Sequence, residues 1–369
     1  MNDLEARIAW SGLVEPGDPV AGALVESLGP VDALDLVART ARADAVLLPG
    51  LTTVAHGRVR RGLEGWAQRW GADTWRRHRD WIEALSGRVV VPGDPGWPAG
   101  LDDLGLARPM CLWVRGADPA PLLARAVSVV GSRAATSYGE HVTAELCAGL
   151  ADADACVVSG GAFGIDAMAH RAALTADGGT VAVLAGGLDR PYPAANARLL
   201  SAVAEKGALL AEVPPGTAPT RHRFLLRNRL IAALGQVTVV VEAARRSGAL
   251  STAGHATALM RPVGAVPGPV TSAASSGCHH LLRDGAVCLT SAADVLELLD
   301  GTPADSGIAE PLLGARERIV LDALPVRQGT APEGLTRPCG LALPEVLAAL
   351  GTLELSGRAV RSAGRWRRA

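Results

Sequence analysis

The chain has 369 residues, enough for two or three domains with buried cores. Its 36 basic and 37 acidic side chains leave a formal charge of −1, which neither requires nor excludes a polyanionic partner, so the distribution of charge has to decide. Hydrophobic residues make up 49% without an apolar run of membrane-spanning length, and the opening MNDLEARIAW has no leader-like layout; membrane insertion is not expected, and a cytoplasmic chain is.

The six cysteines (Cys111, Cys147, Cys156, Cys278, Cys288, Cys339) show no C-x-x-C pair and no metal-type spacing. They read as buried thiols in a reducing compartment, with no disulfide framework, no metal site and no cofactor expected. Lys206 is the sole lysine, so arginine supplies nearly every fixed cation.

Residues 1–88 are expected to form a helical domain. LEARIAWSGLVEP, DPVAGALVESLG, PVDALDLVARTA and VRRGLEGWAQRW have amphipathic spacing between Pro and Gly breaks. Trp66, Trp70, Trp75 and Trp81 lie among eight arginines between positions 58 and 88. Such a stretch can stack bases, but Trp66 and Trp70, four residues apart, fit the core of a small helical domain better.

The pattern changes in 89–300. The runs AVSVVGS, ACVVSGG, GTVAVLAGG, ALLAEV, VTVVVEA, PVGAVPG and AVCLT alternate with helical segments from about residue 126 onwards. Continuous apolar strands separated by helices of about ten to fifteen residues predict an α/β fold with a doubly wound, mostly parallel sheet. Several strands run directly into glycine or serine, and ligands of such sheets bind beyond the carboxyl ends of the strands.

Three turns at that rim suit phosphate. Gly131-Ser132-Arg133 ends the first strand: the glycine permits close backbone approach, Ser132 offers a hydroxyl and an amide, and Arg133 can grip a phosphate bidentately. The second and third glycines of G-x-G-x-x-G are missing, which counts against a dinucleotide. S-G-G-A-F-G-I-D repeats the design, with Ser159, Gly160 and Gly161 as small donors and Gly164 keeping the helix start clear. Phe163 is expected to stand exposed at the rim; the competing reading folds it under the turn, with Asp166 as a helix cap. V-E-A-A-R-R-S-G-A-L-S-T carries Ser247 and Gly248, with Glu242 expected to orient an arginine across the crevice.

Between the second and third turns stands RHRFLLRNRLIAAL (221–234). Leu226, Leu230, Ala233 and Leu234 recur with helical spacing, and Arg221, Phe224 and Asn228 share the opposite face. With Arg223, Arg227 and Arg229, the segment packs four arginines around one of only two phenylalanines in the chain. Taken alone, it reads as a solvated helix start whose arginines pair with neighbouring acids. Beside three small-residue turns it reads as a phosphate-tracking strip with π-faces for unpaired bases.

Residues 301–312 (GTPADSGIAEPL) read as a linker. Residues 313–369 offer a helix, a second helix and a short basic hairpin, a winged-helix pattern. Its tail carries Arg358, Arg361, Arg365, Arg367 and Arg368 with no acid after Glu354. Leu343, Val346, Leu347 and Leu350 are candidates for docking a protein partner.

The ordered motifs V-G-S-R-A-A-T-S-Y-G, S-G-G-A-F-G-I-D-A-M-A-H, G-G-L-D-R-P-Y-P-A-A-N, R-N-R-L-I-A-A-L, V-V-E-A-A-R-R-S-G-A-L-S-T-A and A-V-P-G-P resemble the DNA-processing DprA/Smf family over about 126–300. D-P-G-W-P-A-G-L and L-W-V-R-G resemble its lead-in. The flanks fit more loosely, as a sterile-alpha-motif or helix-hairpin-helix-like region before and a winged helix after. The resemblance implies a Rossmann-like domain that binds single-stranded DNA, a homodimer, and delivery of the RecA recombinase to incoming DNA during natural transformation. It carries DNA contact onto Arg133 and Phe224 in particular. Many members have a basic residue where Phe163 stands, so a phosphate contact there is lost or replaced by stacking.

Two other classes compete. A nucleotide-processing phosphoribohydrolase would use Glu242 or Asp166 as its carboxylate, yet the P-G-G-x-G-T-x-x-E turn of those enzymes is absent, and no other catalytic constellation is evident. A transcription regulator would act through the winged helix on duplex DNA, with the α/β domain as a ligand sensor.

Overall fold

Valine-rich runs with no polar alternation become strands buried on both faces, because helices cover the sheet on each side. The computed structural model describes all residues except 44–52, 302–313, 327 and 363, and only the backbone of 53–56. Five helices come first: α1 (Asp3–Leu13), α2 (Pro19–Leu28), α3 (Pro30–Ala41), α4 (Thr53–Ala67) and α5 (Thr74–Ala84). Strands β1 (Gly87–Val90) and β2 (Leu112–Gly116) and the single turn α6 (Pro119–Leu122) follow.

Strands then alternate with helices: β3 (Ala126–Val130), α7 (Ser137–Asp152), β4 (Cys156–Ser159), α8 (Ile165–Thr175), β5 (Thr180–Leu184), α9 (Ala197–Lys206) and β6 (Ala208–Ala211). The alternation continues through α10 (Arg221–Leu234), β7 (Val237–Val240), α11 (Gly248–Ala258), β8 (Val263–Ala265), α12 (Ser276–Arg283), β9 (Val287–Cys288) and α13 (Ala292–Asp300). Each of the seven apolar runs singled out in the sequence supplies one strand of β3–β9.

The sheet order is β1-β2-β6-β5-β4-β3-β7-β8-β9. Strands β3 to β9 pair in parallel, while β1 and β2 add an antiparallel edge beside β6. From β3 the chain lays β4, β5 and β6 to one side. It then returns through α10 and sets β7 on the other side of β3, Val127 beside Val237 and Val130 beside Val240. That reversal is the topological switch point, and beyond its strand ends the connections diverge and leave a crevice.

The boundary expected at residue 88 falls inside one compact unit, residues 1–301. Trp10 is fully buried, meets Trp66 edge-on at 5.2 Å, and shares a core with Trp113, Leu184, Leu200 and Leu209 of the sheet region. The helices and that sheet face bury each other, since neither apolar surface is covered otherwise, and each fully buried large side chain contributes about 1.5–3 kcal/mol. Trp66 and Trp75 are core, whereas Trp81 stays 38% exposed.

Residues 302–369 form the second unit. Its described part has α14 (Ala315–Ala323), α15 (Glu333–Cys339), α16 (Leu343–Leu355) and a hairpin of β10 (Ala359–Ser362) and β11 (Arg365–Arg368), the winged-helix arrangement. Val346 and Leu350 lie in its core with Val320, Leu335 and Trp366, so the docking stripe expected there is largely spent on packing. Leu347 alone of that set is markedly exposed, at 47%. The expected linker lies outside the described residues, apart from Gly301.

Five cysteines are buried and Cys288 is exposed. Burial pushes the Cys111, Cys147 and Cys156 thiols up to about 12, leaving them protonated and inert at neutral pH. Among the described residues no single helix is long and apolar enough to cross a membrane.

Candidate nucleic-acid interface

A cleft of about 880 Å³ opens at the switch point. The turn after β3 forms one wall with Gly131, Ser132 and Arg133, and the start of α11 forms another with Ser247, Gly248 and Thr252. Helix α10 runs along it and presents Arg221, Phe224, Arg227 and Asn228. Four arginines line the cleft (Arg133, Arg221, Arg227 and Arg246) against one acid, Asp166. That acid is buried, accepts from the Ala162 amide at 3.3 Å, and is pushed up from the ordinary carboxylate range chiefly by desolvation. The cleft is therefore a cationic surface.

Thr220 caps α10, its side chain accepting from the Arg223 amide at 3.2 Å, and this fixes the helix phase from the first turn. Phe224 is only half-buried. The Arg133 guanidinium lies 4.8 Å from the centre of its ring, that of Arg227 5.8 Å, and the Tyr192 ring is tilted beside it at 5.8 Å. Arg133 is exposed and has no acid within ion-pair distance among the described residues. It is held by the ring face, an attraction of about 0.5–1 kcal/mol at an exposed site, and stays available to an anion.

Arg227 is buried beneath this cluster, where it donates to the Val183 carbonyl. Desolvation lowers it to about 10, so it remains a cation at neutral pH. Gly160 exists for its sake, because a Cβ there would collide with the guanidinium. Asn228 donates to the Gly248 carbonyl at 3.2 Å and ties α10 to the third turn.

The structure brings Ser132, Arg133, Arg221, Phe224, Arg227, Asn228, Ser247 and Gly248 together, with Gly131 beneath. It takes several expected residues elsewhere. Ser159 is fully buried and donates to the Val129 carbonyl at 2.7 Å, a bond between neighbouring strands. Gly160 and Gly161 make room for Arg227 and Leu200, and Gly131 for Ile165, so these glycines serve packing more than ligand approach. Gly164 has φ +72° with the Ser132 carbonyl against it, a turn requirement at the start of α8.

Arg223 is committed to Glu15, with Nε 3.0 Å and Nη2 2.7 Å from the carboxylate oxygens. Arg229 is buried against Glu212 at 2.6 Å. Glu242, expected to reach an arginine across the crevice, accepts instead from the amide and hydroxyl of Thr136 at 2.9 and 2.6 Å and anchors the start of α7. Phe163 is 47% exposed and does not plug the turn.

Two lining residues, Tyr192 and Arg246, were not singled out from the sequence. The concentration of all four Tyr and Phe residues between 138 and 224 was the signal for Tyr192. Arg246 stands directly before the Ser247-Gly248 pair. In the second unit, Arg361 lies 5.7 Å from the Trp366 ring, while Arg368 pairs with Asp322 at 3.3 Å.

Comparison with known proteins agrees with this architecture. Residues 88–300 match the family described as DNA recombination-mediator protein A, and residues 302–365 the DprA winged helix domain. A DprA protein of Mycobacterium tuberculosis is 45% identical over the whole chain and 95% of its own length. Protein Smf of Escherichia coli is 36% identical over 63% of this chain and 64% of its own. The crystal structure of DNA processing protein A from Streptococcus pneumoniae superposes with a TM-score of 0.63 at 31% identity, covering 80% of this chain and 97% of that one. DNA processing protein A from Helicobacter pylori superposes at 0.52 and 29% identity over 58% of this chain and 96% of its own; its structure was described for its single-stranded DNA binding mode.

Proposed function

The chain belongs to the DprA/Smf family of DNA-recombination mediators, and from that premise we propose that it binds single-stranded DNA in the switch-point cleft. The observation that carries the reading is the Arg133–Phe224–Tyr192 cluster: an exposed guanidinium 4.8 Å from a half-buried ring, with a second, exposed ring beside it. Arginines there neutralise phosphates, while the rings offer stacking surfaces that only unpaired bases can use. Stacking is worth about 1–3 kcal/mol per base and reads no sequence. The relative from Helicobacter pylori, described as binding single strands, supports the same assignment.

Family membership extends the reading further. The chain acts as a cytoplasmic homodimer that loads RecA onto the bound strand during recombination and natural transformation. It works by binding rather than catalysis, consistent with a lining acid buried under a backbone amide and a Glu242 spent on a helix start.

Fluorescence anisotropy with single- and double-stranded oligonucleotides across a salt series tests the core of this. Single strands are expected to bind more tightly, with little sequence preference; equal affinity for both forms would sink the proposal. RecA assembly on a strand coated with single-strand-binding protein, with and without this chain, tests the loading step.

A further inference from the structure

The tryptophan–arginine stretch of the N-terminal helices is mostly core, but one pair in it is not. Arg77 and Trp81 stand four residues apart on α5 and so share a face. Trp81 is 38% exposed and Arg77 is exposed. The acids nearby are already taken: Asp80 and Glu83 lie by Arg79 at 3.4 and 3.6 Å, and Asp73 by Arg76 at 2.6 Å. Arg77 has no ion-pair partner among the described residues.

Trp81 abuts the loop that leads to the cleft. A Cβ on Gly216 would meet the Trp81 ring at 2.9 Å, so Trp81 rests on the loop that leads through Pro219 to the Thr220 cap of α10. The Gly216 amide donates to Asp189 Oδ1 at 2.7 Å, which joins that loop to the segment ending in Tyr192. Arg190 lies 3.5 Å from the same carboxylate and keeps its own side chain 81% exposed. Trp81, Gly216 and Asp189 are thus linked by contact, and the chain from Asp189 leads to Tyr192, whose ring meets Phe224. Arg190 and Arg221 are exposed on these segments, and Arg77 is exposed one helical turn before Trp81.

We propose that a single strand longer than the cleft continues from Phe224 and Tyr192 across the 214–220 loop onto α5, where Trp81 stacks a further base and Arg77 neutralises a further phosphate. The inference rests on the cleft being the single-strand site. The ligand class follows from rings open to solvent lying near exposed guanidiniums, of which Arg77 has no ion-pair partner among the described residues, and this suits unpaired bases on a polyanionic backbone. A protein partner of acidic character would need the cations but not the ring continuity, and duplex DNA could not use the ring.

The test compares labelled oligo-dT of about 6 and about 20 nucleotides on the full chain, lengths chosen to fill the cleft alone or to overrun it. Trp81→Ala is expected to weaken the long strand by about fivefold or more while the short one is unchanged, and Trp81→Phe to restore most of the loss. Arg77→Ala is expected to lower the salt slope of the long strand alone by about 0.7. Arg77 is a surface side chain, so its variant reads binding even if Trp81→Ala proves unstable in a thermal melt. Equal effects on both lengths, or none on either, would overturn the extension while leaving the cleft reading intact. Failure of the unmodified chain to bind the short strand would overturn both.

Discussion

Helix α10 carries four arginines, and two regions of the molecule use them in opposite ways. On the side facing the N-terminal helices, Arg223 meets Glu15 from 208 residues away and Arg229 is buried with Glu212. On the cleft side, Arg221 is exposed and Arg227 sits under an aromatic ring beside a carboxylate that burial holds towards its neutral form. The helix itself contains no acid, so the difference comes from what other elements bring to each face. A guanidinium paired with a carboxylate from a distant element is structural, and an exposed one with no such partner is available to a ligand. Arg227 lies between the two, buried, donating to the Val183 carbonyl and 5.8 Å from the Phe224 ring.

The sharpest way to break that comparison is Arg229→Ala. It strands the Glu212 carboxylate in the interior with only the Gly17 amide to answer it, at 3.2 Å. Breaking a buried pair from one side costs about 3–5 kcal/mol, and a urea titration should find a loss of that size. The folded fraction should bind single-stranded DNA as before. Weaker binding at unchanged stability would move Arg229 to the ligand side and undo the division.

Phe224→Ala comes next, with an expected loss of about 1–3 kcal/mol in single-strand affinity at an unchanged salt slope. Were the ring core, the same change would cost about 3–5 kcal/mol of stability instead. Its half-buried position predicts a melting temperature close to that of the unmodified chain.

Much of this fold was legible locally. Runs such as VTVVVEA and GTVAVLAGG announce strands because a parallel sheet buries both faces and tolerates no alternation. The cleft-facing side of α10 was legible too, since helical phase alone sets Arg221, Phe224 and Asn228 opposite the apolar stripe. The fate of individual side chains was not. Whether Gly160 meets a ligand or Arg227, and whether Glu242 meets an arginine or Thr136, depends on elements tens of residues away, which no local pattern encodes. The shared core of Trp10 and Trp113 escaped for the same reason: amphipathic helices look alike whether they pack on one another or on a sheet.

Arg133→Ala sharpens the ligand side at a smaller scale. Removing one phosphate contact should lower the salt slope by about 0.7 and cost about 1–2 kcal/mol of affinity at low salt, measured by anisotropy from low to moderate salt. An unchanged slope would mean that the guanidinium serves only to hold the Phe224 ring.

The smallest expected effect lies at the partly exposed end of the structural side. The Arg223 guanidinium hydrogen-bonded to Glu15 holds that carboxyl below its ordinary range. The Glu15 side chain is 45% exposed and solvent screens the pair, so its worth is about 0.2–1 kcal/mol. A carboxyl depressed in the folded state contributes stability that is fully present above its unfolded pKa, about 4.3, and is lost as pH falls through the folded value. Glu15→Gln should therefore be slightly less stable than the unmodified chain at neutral pH. The gap should narrow as pH falls through the depressed folded value and close once both chains carry a neutral side chain at position 15. Urea midpoints at several pH values would read it. A gap that stays constant or widens towards acid would show that Glu15 acts through packing against α10 and not through charge.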